Sequence, residues 1–202
     1  MSNTLQDLER FINEPQVEMD PIVRAALVHY QFETAHPFLD GNGRLGRLLI
    51  TLMLINDGVL HSCLFYPSFQ FKKNRSEYYR QLTSVRERGT YEEWIEFFCN
   101  SLLESAKDSV GSLKNLVDLH NRSTATITEN LGRTAANGQR LLGILEEHPI
   151  VDTAFIAAQL DIGRSTASSL VKSFEELGIL RPLDESRQRY RPVSYTHLRA
   201  HE

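Results

Sequence analysis

Cysteine is scarce in this chain. Only Cys63 and Cys99 occur among 202 residues, and they form no Cys-x-x-Cys pair. A disulfide framework is not expected, and a reducing, cytoplasmic setting is. Long apolar runs are missing too. The longest, "LLITLMLI" from Leu48 to Ile55, is too short to span a bilayer. "MSNTLQDLERF" lacks the basic-then-apolar pattern of a signal peptide, so no membrane partner is expected. There is no excess of positive charge: the formal net charge is -4. That argues against coating nucleic acid through bulk charge, though a local basic face stays open. The seven histidines show no zinc-type spacing. No repeats or low-complexity segments occur.

What is present is a normal core composition and a strong helical rhythm. A hydrophobic content of 41% suits a globular chain of one large domain or two small ones. "LQDLERFIN" puts Leu5, Leu8, Phe11 and Ile12 on one helix face. In "EMDP", Asp20 offers a cap and Pro21 a first turn. The helix that follows is expected to turn Ile22, Val23, Ala26, Leu27 and Tyr30 inward. It should stop before His36, because a residue preceding proline leaves the α region. "RLGRLLITLMLINDG" reads as a helix apolar on nearly all sides, hence the buried central one, with Gly58 as its stop. "NRSEYYRQLTSVRER" and "TYEEWIEFFCNSLLESAKD" read as amphipathic helices, and the segment after them as a connecting helix.

Between these first helices lies "HPFLDGNGRLGR", His36 to Arg47. Gly41 and Gly43 flank Asn42 just before a helix. Glycines let successive N–H groups turn toward one point, and a helix start adds free donors and a positive dipole end. The expected product is an anion cradle. Arg44 and Arg47, spaced i, i+3, add two guanidiniums suited to a di- or triphosphate. Asp40 at the lip would repel phosphates without a cation between them, and Mg²⁺ takes one or two carboxylates plus phosphate oxygens. His36 supplies an imidazole able to accept a proton near neutral pH. Phe38 is expected to turn inward and pin the loop. A base, a metal ligand, an anion nest and two charge clamps are what phosphoryl or nucleotidyl transfer to a hydroxyl needs. A plain hairpin turn would need alternating strands on either side, and the flanks are helical. Neither a Walker A loop nor the dinucleotide fingerprint is present.

These residues resemble the Fic family signature H-x-F-x-[DE]-G-N-G-R-x-x-R at every defined position. The resemblance extends through "LERFIN", "ALVHYQFETAHPFLDGNGRLGRLLITLML" and "NRSEYYRQLTSVRERGTYEEWIEFF" to about Val193. It implies a mainly α fold, a Fic-type helical bundle followed by a small winged-helix domain. The implied activity is transfer of AMP from ATP to a Ser, Thr or Tyr hydroxyl of a target protein, with release of pyrophosphate. Carried over by position, His36 deprotonates the target, Phe38 anchors the loop and Asp40 holds Mg²⁺. Gly41, Asn42 and Gly43 cradle the phosphates, Arg44 meets the β-phosphate region and Arg47 the γ-phosphate. Tyr78 and Tyr79 match a segment near the nucleotide. Relatives that phosphorylate carry lysine in place of Gly43, so Gly43 favours AMP transfer. Relatives often dimerise, which makes a homodimer one expectation. The family's upstream flap and its inhibitory S/T-x-x-x-E-G/N helix are not found in the chain, so an N-terminally truncated fragment without built-in inhibition at Arg47 is expected.

The pattern changes near Asn137. Three short helices are expected in order, and the second, near Thr153 to Leu160, meets the third, near Ser165 to Leu177, through "DIG" at helix-turn-helix spacing. Gly178 stops the third. "ILRPL" and "QRYRPV" are expected to pair as a hairpin. The divisions expected are residues 1–107 as catalytic core, 108–136 as connecting helix, 137–193 as winged helix, and 194–202 as a non-native tail outside the fold. Arg164, Ser165, Thr166, Ser169 and Lys172 would face DNA or a protein partner, with Arg181, Arg187, Arg189 and Arg191 on the wing. The rival to an adenylyltransferase is a DNA-binding regulator whose Fic module senses nucleotide. The retained base favours the enzyme.

Overall fold

The structure, a computed structural model, describes residues 2–13, 19–62, 64–183 and 193–195. The chain divides into two compact units, residues 1–113 and 114–202, each with its own core.

Among its described residues the first unit has helices joined by loops and no strand. Helix α1 (Ser2–Asn13) buries Leu8 and packs Phe11 and Ile12 against the core, as its spacing predicts. Helix α2 (Pro21–Ala35) starts where Asp20 Oδ1 accepts the Ile22 and Val23 N–H groups at 2.8 and 3.3 Å, with proline in the first turn. Its inward face is wider than expected: Ala25, Val28 and His29 are buried beside Ala26 and Tyr30, while Ile22, Val23 and Leu27 are only half-buried. Helix α3 (Asn42–Asn56) lies against α2. Gly46 of α3 lies against His29 and Glu33 of α2, where a Cβ would have no room. Arg24 and Asp57 tie the start of α2 to the end of α3, with Nη2 2.6 Å from Oδ2.

Helix α3 is not apolar-covered on all sides. Ile50, Met53 and Leu54 are buried, but Leu45, Leu48 and Leu52 are 41%, 52% and 50% exposed. An all-apolar helix sequence does not by itself supply partners for every face, and no described element covers this one. Short α4 (Ser68–Lys73) and α5 (Arg75–Arg88) follow. Helix α6 (Tyr91–Asn130) is one helix of 40 residues. It merges the amphipathic helix and the connecting helix expected to change over at 107–108, and passes Gly111 without a break. Its early residues Trp94 and Phe98 sit at the centre of the first core. Trp94 Nε1 donates to Ala26 O at 2.9 Å.

In the second unit, Leu119 and Ile127 of α6 join the core made by α7 (Ala135–Glu147), α8 (Thr153–Leu160) and α9 (Arg164–Glu176). Asp152 caps α8 by accepting from Phe155 N at 2.7 Å. The α8–α9 turn bends at Asp161, φ 54°. β1 (Ile150–Val151), β2 (Leu180–Pro182) and β3 (Val193–Tyr195) form an antiparallel sheet of order β1-β3-β2. β2 falls within the expected "ILRPL", but its partner strand β3 begins only at the last residue of "QRYRPV", whose other residues lie outside the described ones, and β1 is a further strand before α8. Ser194 and Tyr195, expected outside the fold, pair with Arg181 and Leu180 of β2, and Ser194 also with Ile150 of β1. The wing arginines Arg187, Arg189 and Arg191 lie outside the described residues.

Candidate functional site

The motif loop is built from the end of α2. His36 caps that helix in the left-handed conformation, φ 43° and ψ 58°, and its N–H bonds Phe32 O at 3.0 Å. A left-handed cap on a non-glycine residue directly before Pro37 turns the chain sharply out of the helix. The imidazole is left exposed.

The loop is pinned by a residue other than the one expected. Phe38 is 51% exposed, with its ring 6.5 Å from that of Phe32. The buried anchor is Asn42, 2% exposed. Its Oδ1 accepts the Phe38 N–H at 2.9 Å and its Nδ2 donates to Phe38 O at 2.6 Å. One amide side chain thus satisfies both backbone groups of Phe38 and closes the loop onto the start of α3. An aromatic ring could supply packing there but no such pairing.

Gly41 then opens α3 with φ 84°, a backbone state glycine adopts without strain. The two guanidiniums close over the two glycines. A Cβ placed on Gly41 would lie 3.8 Å from Arg44 Nη2, and one on Gly43 3.0 Å from Arg47 Nη1. Arg44 is open to solvent and sits 3.9 Å from the Asp40 carboxylate. Arg47 is held, its Nε donating to Ser68 Oγ at 3.0 Å. The first turn of α3 therefore offers free N–H donors between one exposed and one hydrogen-bonded cation.

Asp40 meets the demands of a Mg²⁺ ligand. Its carboxylate is fully open, and Oδ1 accepts from the Gly41 N–H at 2.7 Å. No group of three or more potential metal-binding side chains exists among the described residues. A cation that takes its remaining ligands from phosphates and water needs none.

Arg47 also lines a cavity of about 420 Å³ with Lys72, Arg75, Tyr66, Phe69, Tyr78 and Tyr79. Three cations and several aromatic rings thus face one space. Tyr79 is half-exposed there, with Arg75 over its ring at 5.6 Å. Tyr78 is buried, and its hydroxyl meets His29 Nε2 at 3.0 Å. Burial raises the Tyr78 phenol well above its ordinary range. Sequence reading missed Ser68, Lys72 and Arg75. The basic run "FKKNR" beside Tyr78 was the available signal. A larger cavity of about 640 Å³, between α1, α2 and the start of α6, holds none of the motif residues and is mostly apolar.

Behind the motif lie two further polar groups that were not anticipated. His29 is buried among Phe71, Trp94 and Phe98. Burial lowers its pKa to about 4, so it is neutral at physiological pH. Glu33 is half-buried, and burial raises its carboxyl above the usual range.

In the second unit, Arg164, Ser165, Thr166, Ser169 and Lys172 all sit on the exposed side of α9. Lys172 lies 3.8 Å from Glu176.

Residues 1–54 match the model of the Fic/DOC family. The chain is 34% identical over 111 residues to "Protein adenylyltransferase fic-1" of Caenorhabditis briggsae, covering 54% of this chain and 20% of that protein. It is 36% identical over 97 residues to "Protein adenylyltransferase Fic" of Drosophila ananassae, covering 48% and 18%. The chain thus spans about a fifth of the length of these relatives. A solved Fic family protein from Desulfovibrio desulfuricans G20 is 20% identical with a TM-score of 0.49, covering 97% of this chain and 55% of that one. That likeness is too loose to place any residue. Among the described residues, no helix is long and apolar enough to cross a membrane.

Proposed function

We propose that this Fic segment transfers AMP from ATP to a Ser, Thr or Tyr hydroxyl of a target protein. The observation that carries the reading is the pair of guanidiniums, Arg44 and Arg47, closing over the two loop glycines beside an exposed His36. The adenylyltransferase names of the relatives support it.

The phosphate chain lies across the start of α3, where free N–H donors meet it. Arg44 meets the β-phosphate region and Arg47 the γ-phosphate. The cavity with Lys72, Arg75 and Tyr79 has the cations and rings for the rest of a nucleotide. The target hydroxyl oxygen attacks the α-phosphorus while His36 takes its proton. The bond from that phosphorus to the bridging oxygen breaks, and pyrophosphate leaves. Asp40 is the residue that would hold Mg²⁺, which when bound neutralises phosphate charge. A reducing, cytoplasmic setting belongs to this proposal.

One observation favours a second reading for the other unit. The sheet order β1-β3-β2 around α7, α8 and α9 fits a winged helix, and α9 exposes Arg164 and Lys172. Such a unit binds DNA, recruits the target or joins two copies of the chain. Duplex-DNA binding that weakens with salt and is lost on Arg164→Ala plus Lys172→Ala favours the first of these.

The test of the main reading is mass spectrometry of a cell lysate incubated with the chain, ATP and Mg²⁺. Peptides bearing AMP on a hydroxyl, absent with His36→Ala, are expected. No AMP-bearing peptide above the His36→Ala background sinks the reading.

A further inference from the structure

We propose that Glu33 is the positioning residue of this site: its carboxylate, wedged against Gly46 behind the motif helix, sets the place of Arg47. The binding readout below rests on the nucleotidyl-transfer reading, and the spectroscopic one does not.

Glu33 Oε1 is buried and has no hydrogen-bond partner. A carboxylate oxygen left in that state costs free energy that an apolar or neutral side chain would not. Stability therefore gives no reason for a glutamate here, and its location does. Glu33 sits on the last turn of α2, three residues before His36, and faces Gly46, the residue before Arg47. A Cβ on Gly46 would fall 2.6 Å from Glu33 Oε1. Only a glycine at 46 lets the carboxylate come this close to the backbone that carries the clamp.

The charges agree with the geometry. Burial raises the Glu33 carboxyl, and Arg47 and then His36 push it back down. Tyr78 feels the Glu33 charge as well. His29 shares the floor, its Nδ1 against Gly46 with no well-formed hydrogen bond. The guanidinium is held at Nε by Ser68, its Nη1 lies over Gly43, and it shares a through-space attraction with the Glu33 carboxylate that packs on the neighbouring Gly46. Its remaining N–H groups are left aimed at the loop. Holding a fork-shaped donor in one orientation before its anion arrives is what preorganisation requires.

The experiment is Glu33→Gln, which keeps the shape and removes the charge. Three results are expected. The variant melts no lower than the wild type at neutral pH. A carboxyl raised by folding is without cost below the ordinary carboxylate range and costs more as pH rises past it, and the variant removes that cost. Affinity for Mg·ATP falls about tenfold, the loss expected when one Arg47–phosphate contact is weakened. In an Arg47→Ala background the same change alters affinity not at all. Glu33→Asp restores part of the loss.

A purely structural role would instead lower the melting temperature along with affinity. Unchanged affinity in Glu33→Gln, or an equal loss in the Arg47→Ala background, overturns the proposal. If the wild-type protein binds no ATP, the nucleotide reading fails and the inference is decided separately. The Arg47 Nε–H signal of nucleotide-free, ¹⁵N-labelled protein should exchange slowly in the wild type and fast in Glu33→Gln. Equal exchange in both overturns the proposal.

Discussion

Helices α3 and α9 both begin after a glycine that makes no side-chain cap, Gly41 and Gly163. Both carry an arginine within the first turns. At α3 the end of α2, a loop pinned by Asn42, Ser68 and a cationic cavity wall all converge on that start. At α9 Arg164 stands on an open face, and Lys172 is shared with Glu176. A helix start offers the same N–H donors in either place. What turns α3 into a candidate reaction centre is convergence from outside the helix.

The largest effect that would break this comparison is on the chemistry. His36→Ala should lower AMP transfer by about 10²- to 10⁴-fold, the usual worth of a general base. Arg164→Ala with Lys172→Ala should leave transfer rates unchanged with small, unstructured acceptor peptides. A comparable loss from the α9 pair would place chemistry where it is not expected.

The second effect is on stability in acid. His29, buried beneath α3 with its pKa near 4, stays neutral in the fold and must charge when the chain unfolds below its ordinary value. Its contribution is fully present above about pH 6.5 and is lost as pH falls through that value toward 4, about 3 kcal/mol in all. Urea titrations between pH 7 and 4 should show this slope in the first unit. His29→Gln should flatten it.

Arg47→Ala comes third. It should weaken Mg·ATP binding by about 10- to 100-fold, measured by calorimetry, while Arg164→Ala leaves it alone. Packing separates the two helices as well. Gly46→Ala should cost about 1–3 kcal/mol by overpacking, since its Cβ would press on Glu33 Oε1 at 2.6 Å. Gly163→Ala meets only Thr166 Oγ1 at 4.0 Å and should shift stability by under about 0.5 kcal/mol. Thermal melts of both variants check this.

Signals local to the chain were legible in the sequence. Asp20 with Pro21 starts α2, His36 before Pro37 ends it, and Gly58 and Gly178 take positive φ just beyond α3 and α9. The motif residues were legible for the same reason, being twelve consecutive positions. Properties that depend on what arrives from elsewhere were not. Phe38 is half-exposed, and the loop it was expected to pin is held by Asn42, which bonds the Phe38 backbone. Leu45, Leu48 and Leu52 stay open because apolar content cannot say which faces find partners. Glu33 and Gly46 are thirteen positions apart and meet only because α2 and α3 pack together. Strands as short as β1 carry too few residues for a period to register.

The measurement to make first uses ATP labelled separately on the α- and γ-phosphates, incubated with Mg²⁺, the chain and a cell lysate beside a His36→Ala control. Label entering protein from the α position alone, and vanishing in the control, is the expected result. Label entering from the γ position alone would mean phosphorylation, and would contradict both AMP transfer and the reading of Gly43.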